Sequence, residues 1–190
     1  DLVCIGACER FLLGNTINRN SFVIPGEVIR EVIAGYAEVV ARLAPYGIEI
    51  VPTGGETADM NDAVRTIVDG ATLATRQRRD HVIDNGRIRP GDVIVGLSST
   101  GQAAYEDGPN SGIGDNGLTL ARHALLRHEY VERYPETSDP SIASGETYRG
   151  PYRLDDCVDG LEMSVGKALL SPTRTYAPVV REILQEIGPD

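Results

Sequence analysis

Across residues 25–43 apolar side chains recur at the spacing of one helical face, and the rest of the fold must accommodate that amphipathic rod. Val28, Ile29, Val32, Ile33, Tyr36, Val40 and Leu43 form the apolar stripe, while Glu27, Arg30, Glu31, Glu38 and Arg42 fall mostly elsewhere. Pro25 suits a first helical turn, where its missing N–H is no loss, and Pro45-Tyr46-Gly47 stops the helix. Strand-like runs flank it, at residues 11–17 and 48–51, the second ending at Pro52. A longer β-type run covers residues 64–76, and Gly70 within it suggests a bulge or a close backbone approach. The helix is therefore expected to pack on a sheet containing 48–52 and 64–76, burying Ile29, Ile33, Val40 and Leu43. Residues 1–7 read as the last turns of a buried helix.

The second half is less periodic. Residues 93–97 (Val-Ile-Val-Gly-Leu) read as an apolar strand, followed by the hydroxyl-rich loop Ser98-Ser99-Thr100-Gly101. Residues 102–115 carry glycines and acids without an apolar period and read as a loop or insertion. Asp115 or Asn116 can cap a helix at about 118–128. A turn at Ser171-Pro172-Thr173-Arg174 precedes a last helix at 176–187, with Pro178 tolerated in its first turn. Strands and helices in this order give an α/β or α+β domain.

The net charge of −10 argues against non-specific binding of nucleic acid or anionic membrane, both of which call for basic surface. Without a signal peptide or a long apolar run, the chain reads as soluble and cytoplasmic. Three cysteines (Cys4, Cys8 and Cys157) match no disulfide or zinc pattern, and Cys4 and Cys8 read as small buried hydrophobes. His81, His123 and His128 are scattered, and neither a phosphate-loop signature nor a Gly-x-Ser-x-Gly elbow occurs.

Chemistry concentrates in Thr53-Gly54-Gly55-Glu56-Thr57-Ala58-Asp59-Met60. Two adjacent glycines let the backbone turn and approach a ligand closely. Glu56 and Asp59, with Thr57 between them, then suit a metal–phosphate group, the carboxylates facing the cation and backbone amides the phosphate. A strand-to-loop turn with solvated acids is the plain alternative. Small-residue loops with acids suit magnesium–nucleotide chemistry, in which positioning does most of the work.

In order along the chain, five segments resemble the motifs of aminoimidazole ribonucleotide synthetase, also called phosphoribosylformylglycinamidine cyclo-ligase. Asp1-Leu2-Val3 through Gly6-Ala7 is similar to Asn-Asp-Leu-Val-x-x-Gly-Ala, and residues 54–60 resemble Gly-Gly-Glu-Thr-Ala-Glu-Met. Residues 89–99 are similar to the Gly-Asp-Val strand with its Ser-Ser-Gly loop, residues 115–122 to Ser-Asn-Gly-x-Ser-Leu-x-Arg, and residues 171–176 to Ala-Pro-Thr-Arg-x-Tyr. The resemblance implies an enzyme that uses magnesium-ATP to phosphorylate an amide oxygen, after which a nitrogen displaces phosphate and closes an imidazole ring. It implies an α+β fold: part of an N-terminal ATP-binding and dimerisation domain at 1–86 and the beginning of a C-terminal domain at 87–190. By the same resemblance Asp1 and Glu56 ligate magnesium, and Gly54, Gly55, Glu56 and Thr57 hold the nucleotide. Asn116 and Glu56 are the implied catalytic residues, and a homodimer acting on small nucleotide substrates is the implied assembly.

The departures are specific. Gly114 and Asp115 stand where the family has His and Ser, and Asn61-Asp62 replaces its Pro-Gly. The upstream nucleotide segment, the Gly-Thr-Asp-Gly-Val-Gly strand end and the downstream Thr-Gly-Gly-Gly loop have no counterpart. The chain therefore reads as the middle of a longer protein, without ring-closing activity of its own. Another ATP-using superfamily member, or a non-catalytic nucleotide-binding relative, is the alternative.

Overall fold

A computed structural model describes residues 1–188, which divide into two compact units. One comprises Asp1–Val93 together with the chain from Thr175, and the other Ile94–Arg174.

The first unit is built on a three-stranded sheet. Strand β1 (Arg10–Arg19) lies between β2 (Glu49–Asp59), which is parallel to it, and β3 (Ile67–Ala74), which is antiparallel. Helix α1 (Gly26–Leu43) makes the crossover from β1 to β2 that a parallel pair requires. It starts directly after Pro25 and ends where Pro45 and a left-handed Gly47 break the spiral, as its sequence predicts. Arg10 pairs with Glu49 at one end of the β1–β2 ladder. At the other end Arg19 Nε donates to Asp59 Oδ1 at 2.7 Å, and its Nη1 donates to the Ile24 carbonyl at 3.0 Å. The core comprises Ala7, Cys8, Phe11, Ile17, Ile29, Leu43, Ile48 and Ala177. The last of these opens a terminal helix at Ala177–Ile187, close to the span read from the sequence.

Four expectations change. Residues 1–7 form only a short 3-10 turn at Leu2–Ile5, of which no residue is buried; Cys4 is exposed and Cys8 alone is buried. Strand β2 does not stop at Pro52 but runs on through the two glycines to Asp59, because the ladder with β1 continues to Arg19. Among the described residues, 93–97 pair with no strand and lie exposed, Ile94 at 97 %, so the expected apolar strand is not formed. On α1, Ile29 and Leu43 are buried as expected, but Val40 is only partly buried and Ile33 is 52 % exposed. The reason is geometric: β2 is an edge strand, and the helix face above it walls an open cleft instead of a packed core. Truncating Ile17 to alanine is therefore expected to cost about 2–5 kcal/mol, against about 1 kcal/mol or less for Ile33→Ala. Denaturant midpoints would decide this, and equal losses would mean that the helix face has been assigned wrongly.

The second unit packs α2 (Gly114–Leu125), α3 (Glu129–Arg133) and α4 (Val165–Leu169) around Leu126, Tyr148, Val165 and Leu169; the helix at the chain's end, in the first unit, is α5. Helix α2 begins earlier than residue 118, and neither Asp115 nor Asn116 caps it. Its first turn is held instead by Thr173, whose Oγ1 accepts the Asp115 amide at 2.8 Å. At the core's edge His123 Nδ1 accepts the amide of Tyr148 at 3.3 Å, with the two rings 5.1 Å apart. Tyr148 is held at φ 50°, the one non-glycine residue with positive φ among those described.

Burial, and then the neighbouring Arg122 guanidinium, push the His123 pKa down. The neutral ring is thus the folded form, while the unfolded chain takes up the proton near pH 6.5. This contribution to stability is complete above about pH 6.5 and is lost as the pH falls through the depressed folded value. Stability measured between pH 7 and 5 should fall in the native chain and flatten in His123→Gln, and an unchanged slope in the variant would assign the effect elsewhere.

Candidate functional site

The Gly-Gly-Glu segment lies in the middle of an edge strand and owes its shape to a single irregularity. The β1–β2 register pairs Leu13 with Pro52 and then Gly14 with Gly54, so Thr53 is the extra residue of a bulge. Thr53 Oγ1 donates to the Leu13 carbonyl at 3.0 Å, which fixes the bulge. Gly54 takes φ +117°, a conformation that side chains rarely adopt, so the first glycine is required by the backbone. The second is required by contact. A Cβ on Gly55 would collide with the amide oxygen of Asn15 and sit 3.0 Å from the Asn15 carbonyl oxygen.

Beyond the bulge, Gly55, Glu56 and Thr57 pair with Asn15, Thr16 and Ile17. Gly54, Gly55, Glu56 and Thr57 are all exposed and border a cleft of about 350 Å³ whose helix wall is Ile33, Tyr36 and Ala37. The Tyr36 hydroxyl donates to Asp69 Oδ2 at 2.7 Å. Burial first, and then this bond to a carboxylate, push its pKa up to about 12. Its hydroxyl is thereby committed to Asp69 on β3.

Of the expected metal ligands, Glu56 stands exposed on β2, and Asp1 is the exposed residue preceding the Leu2–Ile5 turn. Asp59, the second acid of the motif, is taken up by Arg19. Among the described residues no group of three or more His, Cys, Asp or Glu side chains converges as a metal cage. Asn116 lies in the first turn of α2, exposed, in the second unit.

Two residues gain a place that sequence reasoning missed. Asn15 sits among the alternating Phe11, Leu13 and Ile17, and an amide interrupting an apolar row was the available signal. Arg174, noted only within a turn motif, spans back to Glu106 and to the carbonyls of Ser98, Thr100 and Gly101. It thereby fixes the hydroxyl-rich loop, and nothing in the local sequence announces that.

The small mixed α+β unit is consistent with part of a cyclo-ligase domain, the class that its relatives suggest. In particular, the chain is similar over nearly its whole length to phosphoribosylformylglycinamidine cyclo-ligases. It is 38% identical to that of Pyrococcus furiosus over 98% of the chain and 43% of the relative. It is 32% identical to that of Thermococcus kodakarensis over 98% and 43%, and 28% identical to that of Methanothermobacter thermautotrophicus over 97% and 43%. The chain thus spans less than half the length of these curated relatives. No family model matches it. No helix among the described residues is long and apolar enough to cross a membrane.

Proposed function

We propose that this chain is part of an ATP- and magnesium-dependent cyclo-ligase of purine biosynthesis that closes the imidazole ring of aminoimidazole ribonucleotide. The observation that carries the reading is the 38% identity to one such cyclo-ligase along 98% of the chain. In this reading Glu56 and Asp1 are the magnesium ligands, and Gly54 and Gly55 let β2 approach the phosphates. The Thr57 hydroxyl donates to a phosphate oxygen, and Asn116 orients the substrate amide. A magnesium ion held there supplies charge neutralisation for the transferring phosphoryl group.

Residues 1–86 belong to an ATP-binding and dimerisation domain and 87–190 to the start of a second domain. Exposed Leu12 and Val68 lie on the sheet face away from α1 and support a homodimer formed through it. The partners are small nucleotide substrates, not nucleic acid or membrane, and the compartment is the cytoplasm. The Gly114-Asp115 and Asn61-Asp62 departures favour a second reading, as another ATP-using superfamily member or a non-catalytic nucleotide-binding relative.

The test is ATP- and magnesium-dependent formation of aminoimidazole ribonucleotide by the protein extended to its relatives' length. Turnover supports the first reading. ATP binding without turnover supports the second, and the absence of both overturns the nucleotide assignment.

A further inference from the structure

Two histidines of the second unit hold neighbouring residues of one segment, and they do so in opposite ring states. Thr147 and Tyr148 are both buried. His128 Nδ1 lies 2.9 Å from the Thr147 carbonyl, which can only accept, so this nitrogen carries a proton. His123 Nδ1 lies 3.3 Å from the Tyr148 amide, which can only donate, so this nitrogen must be bare. Acid therefore acts differently on the two bonds. A doubly protonated His128 still donates to Thr147. A doubly protonated His123 turns an N–H toward the Tyr148 N–H, and the bond is lost.

The surroundings add to that loss. Arg122, beside His123 on α2, makes no ion pair with a carboxylate among the described residues. Its Nη1 donates to the Thr137 carbonyl and the Tyr148 hydroxyl, each at 3.3 Å, and its Nε is buried without a partner. Of the other charged groups on the packed elements, Glu146 and Arg149 pair with each other at 2.7 Å, and Glu136 and Asp139 lie on the stretch around Thr137. The titratable neighbours are His128 and Tyr148. Burial first, and then Arg122, disfavour the charged His123 ring. Tyr148 also holds φ 50°, a backbone that a side-chain-bearing residue keeps only while its surroundings impose it. Past Tyr148 the chain is fastened by backbone alone. The Arg149 amide donates to the His123 carbonyl at 2.8 Å, Gly150 to Leu126 at 2.9 Å and Tyr152 to Leu125 at 3.0 Å. Those bonds do not titrate.

We propose that His123 and His128 form a latch with one acid-sensitive catch: acidification releases Tyr148 from the Leu126, Val165 and Leu169 core at His123, while His128 keeps Thr147 in place. The opening is local and reversible, bounded by Thr147 on one side and Arg149 on the other. It does not rest on the ligase reading, since none of these residues belongs to the nucleotide site.

The test is residue-resolved amide exchange of the full chain, read as protection factors between pH 7 and pH 5. Protection at Tyr148 is expected to drop as the pH falls, while the amides of α2 keep theirs. His123→Gln supplies a carbonyl oxygen that accepts the same N–H without titrating, so Tyr148 should stay protected throughout. His128→Gln should leave the pH response of Tyr148 in place. Constant protection of Tyr148 in the native chain overturns the proposal, as does a parallel loss throughout α2, which would mean unfolding of the whole unit. An unchanged response in a folded His123→Gln variant, or its disappearance in His128→Gln, would equally remove His123 as the catch. If His123→Gln does not fold, the native chain read against α2 and the His128→Gln variant still decide.

Discussion

Replacing Arg174 with methionine is expected to remove about 3–5 kcal/mol from the stability of the second unit. Arg174 and Glu106 pair at 2.6 Å with their side chains only 8 % and 11 % exposed. The arginine also donates to the carbonyls of Ser98, Thr100 and Gly101 at 2.8–3.0 Å. Glu106 accepts in addition from the Ala103 amide and the Asn110 side chain. Removing the guanidinium leaves a buried carboxylate without its counter-charge and three carbonyls without that donor, and such a loss exceeds the net worth of the pair itself. Arg174→Met combined with Glu106→Leu should cost less than the sum of the single changes, because the stranded charge is then gone as well. Denaturant unfolding of the four proteins measures this, and a single-variant loss below about 1 kcal/mol would show that the cluster is solvated.

The same cluster has its own acid response. Burial raises the Glu106 pKa, but the Arg174 guanidinium and the Ala103 and Asn110 bonds outweigh it and hold the carboxyl below its usual range. Its contribution is present above the unfolded value of about 4.3 and is lost as the pH falls through the folded one. That window lies below the His123 window, so the two can be resolved.

Glu56→Gln is expected to lower turnover of the extended protein by about a hundredfold or more while leaving the fold intact. Glu56 is exposed on an edge strand, so an isosteric amide disturbs no packing. What changes is charge: glutamine is a poor magnesium ligand, whereas the carboxylate is one of the few that the ion needs beside phosphate. Glu9→Gln is the control, an equally exposed acid outside the motif. Rates measured across a magnesium titration should separate the two, and matching curves for wild type and Glu56→Gln would remove the metal role from this strand.

Local chemistry determined much of this protein. The amphipathic stripe and its proline stops specify α1, the apolar run at 11–17 specifies the centre of β1, and Pro178 marks the first turn of α5, because each signal lies within a few residues of the element it encodes. The Gly-Gly-Glu motif and four companion segments likewise carried the family resemblance in sequence alone. Tertiary structure decided the rest. β2 continues past Pro52 because β1 continues beside it, whereas the apolar run at 93–97 has no pairing strand among the described residues. Ile33 faces a cleft because β2 is the edge strand of the sheet among the described residues. Arg174 finds Glu106 across 68 positions of chain, and Asn15 meets Gly55 only through the strand register. Periodicity and capping act between near neighbours and leave a mark on them, whereas pairing across a sheet or an ion cluster depends on which distant segment arrives, and no local pattern records that.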